Sequence, residues 1–343
     1  MGIPVSDSFG AGSDPELPSV APALDPATAE RELGERLTRV LGDGRLRLRA
    51  IRVTRHKPGR RCMIEYDLAI RRTAGEEEEL LTAIGKIRVR RFGKSGYRLL
   101  DALWHAGFDA DSADGVSVPE PLGTVSPFRM WLQRKVPGRL ATGLVASPEG
   151  EAIGCRIAEA AHKLHCAGVP PERRHTMDDE VRILNEALAR AAAAEPGLAE
   201  RIERLADACA RIGAAAPRAD PRGVHRDFYA DQVIVDGGRL HLIDFDLYCE
   251  GDPALDIGNF LGHVTEQSLR TTGDPAALSQ VEAAIEDRFL ELSGPHRRPA
   301  VQAYATLTLA RHVFLSTQLP GRRPHTEALL ELCEERVGGL LST

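Results

Sequence analysis

The chain is short of lysine and of any long apolar run. Only five of its 44 basic residues are lysine: Lys57, Lys86, Lys94, Lys135 and Lys163. Arginine supplies the rest, a bias of base composition, so each lysine kept against it invites a specific reason. No apolar run is long enough to span a bilayer. No charged segment followed by an apolar one opens the chain, as a secretion signal would. Both absences argue against a membrane partner and predict a cytoplasmic protein. The six cysteines (Cys62, Cys155, Cys166, Cys209, Cys249 and Cys333) include no C-x-x-C pair. They read as reduced, mostly buried thiols rather than as disulfides or zinc ligands. The net charge of −6 lacks the basic excess of a nucleic-acid binder. No internal repeat is found.

What is present is ordinary for a globular protein. A length of 343 residues allows one large domain or two lobes with a sizeable core. Residues 1–25, rich in Pro, Gly, Ser and Asp, predict a flexible tail. A first helix follows, with Asp25 or Thr28 as N-cap, Pro26 in the first turn and Gly42 as the stop. The stretches "RLRLRAIRVTRHKPG", "RCMIEYDLAIRR" and "LLTAIGKIRVRRF" alternate and predict three strands. A turn at Pro58-Gly59 joins the first two, and "TAGEEEE" is a hairpin tip with a solvated acidic run from Glu76 to Glu79. A helix from Lys94 to Gly107 and two short strands, the second in "LQRKVPG", complete an N-terminal lobe of five strands.

After the Pro137-Gly138 break the pattern turns helical, which places a boundary near Gly138. The first helix of this part has Ser147 as a plausible N-cap and Pro148 at its first position. A helical pair breaks at Pro196-Gly197. The strands "QVIVDGG" and "RLHLIDF" meet in a turn at Asp236-Gly237-Gly238, and helices fill the rest.

Chemistry gathers in "HRDFYADQVIV", from His225 to Val235, and in "IDFD" just beyond it. The hairpin between Gln232 and Asp244 returns both ends to one place. A loop carboxylate, Asp227, beside an amide and a second carboxylate is what phosphoryl transfer from a nucleotide needs. One carboxylate orients the attacking hydroxyl, and the other two groups suit Mg²⁺, which prefers hard oxygen ligands and takes few carboxylates. Upstream, Lys86 in "TAIGKIRV" is a lysine inside a strand. Either it faces solvent or it has a task.

In order, "HRDFYADQ", "IDFD" and "GDPALD" resemble the strings of the aminoglycoside phosphotransferase and choline kinase family, small-molecule relatives of the protein kinases. The "GDPALD" string is the telling one, because protein kinases lack it. The motifs span residues 45–262. The resemblance implies an α+β, two-lobed, protein-kinase-like fold. Its small antiparallel N-lobe covers residues 26–138 and its larger helical C-lobe residues 139–343. It implies transfer of the γ-phosphate of ATP or GTP, with Mg²⁺, to a hydroxyl of a small molecule such as an aminoglycoside or sugar. It implies Asp227 as the catalytic aspartate, Gln232 and Asp244 as metal ligands, and Asp246 as a helper through water. Lys86 would contact the α and β phosphates. Gly59 and Arg60, in "KPGRRC", would cover the nucleotide in place of a G-x-G-x-x-G loop. Gln133, Lys135 and Val136 would meet adenine through the backbone.

Several residues have structural readings. Asp252 and Asp256 tie the loop to the helix that follows, and His225 supports the loop by hydrogen bonding. His162 and His165 lack further ligands and are core or loop-support histidines. Arg226 pairs with a nearby carboxylate. The acidic group Met177 to Glu180 suits a cationic acceptor or simply a helix start. Three departures from the family pattern matter. Arg226 stands where glycine is usual, as arginine does in protein kinases. Gln232 stands where asparagine is usual. The helix from Lys94 to Gly107 holds no glutamate for Lys86, so Asp101 or another element must serve it. The last two leave open a catalytically silent nucleotide-binding protein or scaffold.

Overall fold

The computed structural model describes residues 2–71, 77–89 and 94–342. Two compact units make up the chain, Met1–Pro137 and Gly138–Thr343.

The alternation read from the sequence forms the first unit's sheet. Its strands are β1 (Val5–Ser6), β2 (Arg45–Lys57), β3 (Arg61–Arg71), β4 (Glu79–Arg88), β6 (Pro121–Val125) and β7 (Met130–Arg134), ordered β1-β2-β3-β4-β7-β6. A two-residue strand, β5, covers Val116–Ser117. All neighbours are antiparallel except β1, which runs parallel to β2 with Val5 opposite Ile51. The sheet therefore has six strands where five were expected, and the sixth comes from the N-terminal segment.

That segment is a correction to the expected tail. Ala11, Leu17, Val20 and Ala23 are buried in the same core as Ile51, Ile64, Tyr66 and Leu132. A helix α1 (Val20–Leu24) lies in it, and the Tyr66 hydroxyl donates to the Ala23 carbonyl at 3.0 Å. Asp7 folds the stretch on itself by accepting from the N–H groups of Phe9, Ala11 and Gly12. A polar, glycine-rich composition is no bar to order when four spaced apolar side chains find a sheet face to cover. The first helix is α2 (Pro26–Arg36), capped by Asp25 on the Thr28 N–H at 2.9 Å, and a short α3 (Thr38–Leu41) ends at Gly42. The helix α4 (Lys94–Leu103) runs into a wide turn closed at Gly107. Of the predicted hairpin tip, residues 73–76 lie outside the described residues, and its acidic run is not all loop: β4 begins at Glu79, which pairs with Arg134 at 3.3 Å, while Glu78 pairs with Arg71 at 3.1 Å.

The second unit is mostly helical: α5 (Gly150–Cys166), α6 (Met177–Ala194), α7 (Ala199–Ala215), α8 (Pro253–Thr272), α9 (Ser279–Ser293), α10 (Arg298–Gln318) and α11 (Thr326–Leu341). The helix α5 starts at Gly150, two residues after the predicted Pro148. Ser147 instead accepts from the Glu149 N–H at 3.3 Å and donates to the Leu144 carbonyl. Short strands β8 (Arg139–Leu140), β10 (Val233–Asp236) and β11 (Arg239–Leu242) form a small sheet, and β9 (Arg222–Val224) pairs with β12 (Cys249–Gly251). No helix among the described residues is long and apolar enough to cross a membrane. All six cysteines are free thiols.

The buried N-terminal segment yields a direct test. Leu17→Ala removes a side chain that is 3% exposed, and such truncations cost about 2–5 kcal/mol. A urea titration followed by circular dichroism is expected to show that loss in the transition of the first unit. A flexible tail would leave the transition where it is.

Candidate active site

The stretch from His225 to Asp244 is built around one carboxylate. Asp256 is fully buried in the first turn of α8. Its Oδ1 accepts from the Arg226 N–H at 2.7 Å, and its Oδ2 accepts from the His225 N–H at 2.8 Å. The same Oδ2 faces His165 Nε2 at 2.9 Å. A carboxylate only accepts, so that imidazole nitrogen carries the proton. His225 in turn donates from Nε2 to the Ile243 carbonyl at 2.9 Å, which ties the start of the loop to the end of β11. These bonds match the structural roles expected for His165, His225 and Asp256. Asp252 caps α8 through the Ala254 N–H, and burial raises its pKa against that bond and Arg297.

The backbone is strained where the chemistry is expected. Among the described residues three non-glycine residues have positive φ, and two are Arg226 (71°) and Asp244 (62°). Such conformations persist only when their surroundings over-determine them. Asp256 holds the first. For the second, Ile243 N–H donates to the Gln232 carbonyl at 3.0 Å, one step beyond the Val233–Leu242 pair of the hairpin. That bond sets Gln232 opposite Ile243 at the open end of β10 and β11, with Asp244 the next residue along the chain. Gln232 is buried. Asp227 is half-buried in the loop between the anchored His225 and Gln232.

The loop rests on aromatic rings. Phe228 is fully buried against Phe260, and its carbonyl accepts from the Asn259 amide at 3.0 Å. Tyr229 stacks on His263 with ring centroids 4.5 Å apart, and His263 meets His312 edge-on at 4.5 Å. Burial, with Arg311, Arg322 and Arg270 behind it, pushes the His312 imidazole down to about 3. His263 is lowered in the same way, by burial and then by His312 and Arg311. Asp231 accepts from the Thr142 hydroxyl.

Arg226 finds its carboxylate in Glu180, at 3.9 Å. Glu180 also accepts from His175 Nε2 at 2.5 Å. Burial would raise its pKa, but the His175 bond, Arg311 and Arg226 outweigh it and hold the carboxyl below its ordinary range. The rest of the Met177–Glu180 group serves the helix start. Thr176 and Asp179 form a reciprocal capping box, and Asp178 pairs with Arg218. His162 meets Ser293 and Cys166. Among the described residues no three His, Cys, Asp or Glu side chains gather as a metal cluster. A magnesium held through one carboxylate and one amide oxygen needs no such cluster, and the oxygen donors of Asp244 and Gln232 fit that ion.

In the first unit, Lys86 lies in β4 and is buried, so the solvent-facing reading fails. It is opposite Met63 on one side and Trp131 on the other. Directly opposed residues share a face, so Lys86, Trp131, Gln133 and Glu65 lie on one face of the sheet, away from the core of Ile64, Tyr66 and Leu132. The Lys86 ammonium sits 4.9 Å from the centroid of the Trp131 ring. The helix α4 rides on that indole at Gly96, where a Cβ would stand only 3.3 Å from ring atoms. Asp101, the one acid of α4, pairs with Arg39 at 2.7 Å. Glu65 is the buried carboxylate on Lys86's face, and Lys135 reaches it at 2.8 Å and Arg52 at 3.3 Å. The sequence reading missed Glu65, although the alternation of β3 places it opposite to Ile64 and Tyr66.

The β2–β3 turn differs from expectation in one respect. Gly59 has φ 63°, but its N–H donates to Asp14 Oδ2 at 2.9 Å, and the Arg60 N–H donates to the Lys57 carbonyl. Both amides are therefore engaged within the protein. In β7 and just beyond, the N–H groups of Arg134 and Lys135 donate to the carbonyls of Glu120 and Thr82.

Two outcomes follow for the second unit. Asp256→Asn turns one acceptor into an amide N–H that faces a backbone donor. The expected cost is about 3 kcal/mol of unfolding free energy, read by urea titration. His263 and His312 are neutral when folded, whereas unfolded histidine takes up a proton near pH ~6.5. Their contribution is complete above that value and is lost as pH falls toward the folded pKa. His312→Leu is therefore expected to flatten the decline of stability between about pH 6.5 and 4.5.

Comparison with known proteins agrees with this geometry. The sequence profile of the phosphotransferase enzyme family (APH) matches residues 94–301, more than half of the chain. No curated protein matches in sequence. Among solved structures, a thermostable mutant of aminoglycoside phosphotransferase APH(4)-Ia superposes with a TM-score of 0.56 at 16% identity, covering 92% of this chain and all of that one. A choline/ethanolamine kinase family protein from Mesorhizobium loti gives 0.53 at 18% identity, over 79% of this chain and 84% of that one. A glucosamine kinase in complex with glucosamine, ADP and inorganic phosphate gives 0.52 at 18% identity, over 93% and 87%. At these identities the likeness is one of fold, and the expected kinase-like α+β architecture holds. The chain belongs to the phosphotransferase enzyme family.

Proposed function

We propose that the protein transfers the γ-phosphate of ATP to a hydroxyl of a small molecule. The observation that carries this reading is the anchored stretch from His225 to Asp244. One buried carboxylate fixes its start, one hairpin bond fixes its end, and two strained residues are held in place. Catalytic groups need such preorganisation to act on developing charge without rearranging.

Asp227 accepts a hydrogen bond from the acceptor hydroxyl, aims it at the phosphorus and takes up its proton. Gln232 and Asp244 hold Mg²⁺ through oxygen. When bound, that ion neutralises charge on the phosphate oxygens. Lys86 contacts the nucleotide phosphates with an ammonium seated on Trp131. The adenine contact falls to the Val136 N–H and neighbouring carbonyls, with the buried Gln133 and the Lys135–Glu65 pair shaping that edge. Gln232 is one methylene longer than the asparagine usual at its position, and a change of rotamer would let its oxygen serve the ion. The related fold of a glucosamine kinase bound to glucosamine and ADP favours ATP and an amino sugar or aminoglycoside among candidate substrates.

The test is release of ADP in the presence of Mg²⁺ against a panel of aminoglycosides, sugars, nucleosides and amino alcohols. One class is expected to give turnover, and Asp227→Ala to lower it by at least about 10³-fold. Binding of Mg·ATP with neither transfer nor slow hydrolysis would favour the silent alternative.

A further inference from the structure

The N-terminal segment carries a feature that phosphate transfer alone does not require. Asp14 is 5% exposed at its side chain and sits beneath the β2–β3 turn. Its Oδ2 accepts from the Gly59 N–H at 2.9 Å and from His56 Nε2 at 2.7 Å, and its Oδ1 accepts from the Glu16 N–H at 3.0 Å. Glu16 also lays its Cγ 3.6 Å from where a Gly59 Cβ would be. The segment that delivers Asp14 is rigid in its own right. Asp7 closes a 3₁₀ turn ahead of it, and Leu17 behind it is buried in the core.

The turn above is crowded with positive charge. Arg55, His56, Lys57, Arg60 and Arg61 fall within seven residues. Arg61, burial, Arg55 and Arg60 together depress the Lys57 ammonium. Cations so close repel one another, and an unsupported three-residue turn between long strands is mobile. An internal anion that bonds both the turn's glycine amide and its histidine removes that freedom. It does so from below, where the core side of the segment lies, so Lys57 and Arg60 stay exposed above.

We propose that Asp14 is a positioning residue for nucleotide phosphate. It locks the β2–β3 turn so that Lys57 and Arg60 present fixed cations to the β and γ phosphates, in place of the backbone amides of a glycine-rich loop. The inference rests on the reading that this turn covers the nucleotide. Asp14 itself touches no ligand. Its carboxylate is too buried to be displaced by an incoming phosphate, so it acts as a support and not as a competitor.

The experiment is isothermal titration calorimetry of the full chain with Mg·ATP and, separately, with adenosine. Asp14→Ala is expected to weaken Mg·ATP binding by about tenfold through lost preorganisation and to leave adenosine binding unchanged. Asp14→Asn keeps one oxygen acceptor and is expected to fall between the two. Lys57→Gln with Arg60→Gln is expected to weaken Mg·ATP likewise, and adding Asp14→Ala to that pair to have no further effect. Equal losses for Mg·ATP and adenosine would mean a merely structural role and would overturn the inference. Unchanged Mg·ATP binding in Asp14→Ala would overturn it too, with the nucleotide reading left standing. If the wild-type chain binds neither ligand, the nucleotide reading falls and takes this inference with it.

Discussion

The second unit's candidate site depends on the Asp256 carboxylate. Three donors converge on its two oxygens: two consecutive backbone N–H groups of the loop and one imidazole of α5. Hydrogen bonds to a charged acceptor contribute about 1.5–3 kcal/mol each, enough together to hold Arg226 in a left-handed conformation that costs about 1–3 kcal/mol. The start of α8 adds its own positive dipole end. From that point the loop runs over Phe228 and Tyr229, both seated on α8, and arrives at Gln232 with little freedom left. The aspartate of "GDPALD" therefore shapes the site without belonging to its chemistry.

The first unit solves a different problem. Lys86, proposed above to contact phosphate, is buried in β4 and needs a defined position. A carboxylate from α4 would fix the ammonium and partly neutralise it. Here the acid of α4 is engaged by Arg39, and the ammonium lies over the face of Trp131. A cation–π contact of about 0.5–2 kcal/mol helps to position the group. Gly96 lets α4 sit close on this ring, because a Cβ there would stand 3.3 Å from its atoms and ask for a small shift. The helix that holds no glutamate thus contributes to the surroundings of Lys86 through its packing on Trp131.

Much of this was legible in the sequence, and the rest failed for identifiable reasons. The hairpin between Gln232 and Asp244 and the capping by Asp25 are local, so pattern predicts them, and the structural roles of His165 and Asp256 follow from the motifs and their surroundings. The N-terminal segment was misread because its composition is that of a disordered tail. Its apolar residues are too sparse to signal by periodicity, and their value lies in a sheet formed 40 residues later. The Asp101–Arg39 pair joins positions 62 residues apart. The Asp14–Gly59 bond spans 45. Neither leaves a trace in local pattern. A buried carboxylate such as Glu65, or a largely covered one such as Glu180, looks like a surface acid until register and packing place it.

The central claim is that the ends of β10 and β11 hold a divalent ion against a nucleotide. Electron paramagnetic resonance of Mn²⁺, a paramagnetic stand-in for Mg²⁺, titrated into the chain with ATP tests it most directly. The account predicts a bound Mn²⁺ signal that requires ATP, is lost in Asp244→Ala and is retained in Gln232→Asn. Equal Mn²⁺ binding by the wild-type chain and Asp244→Ala would contradict it.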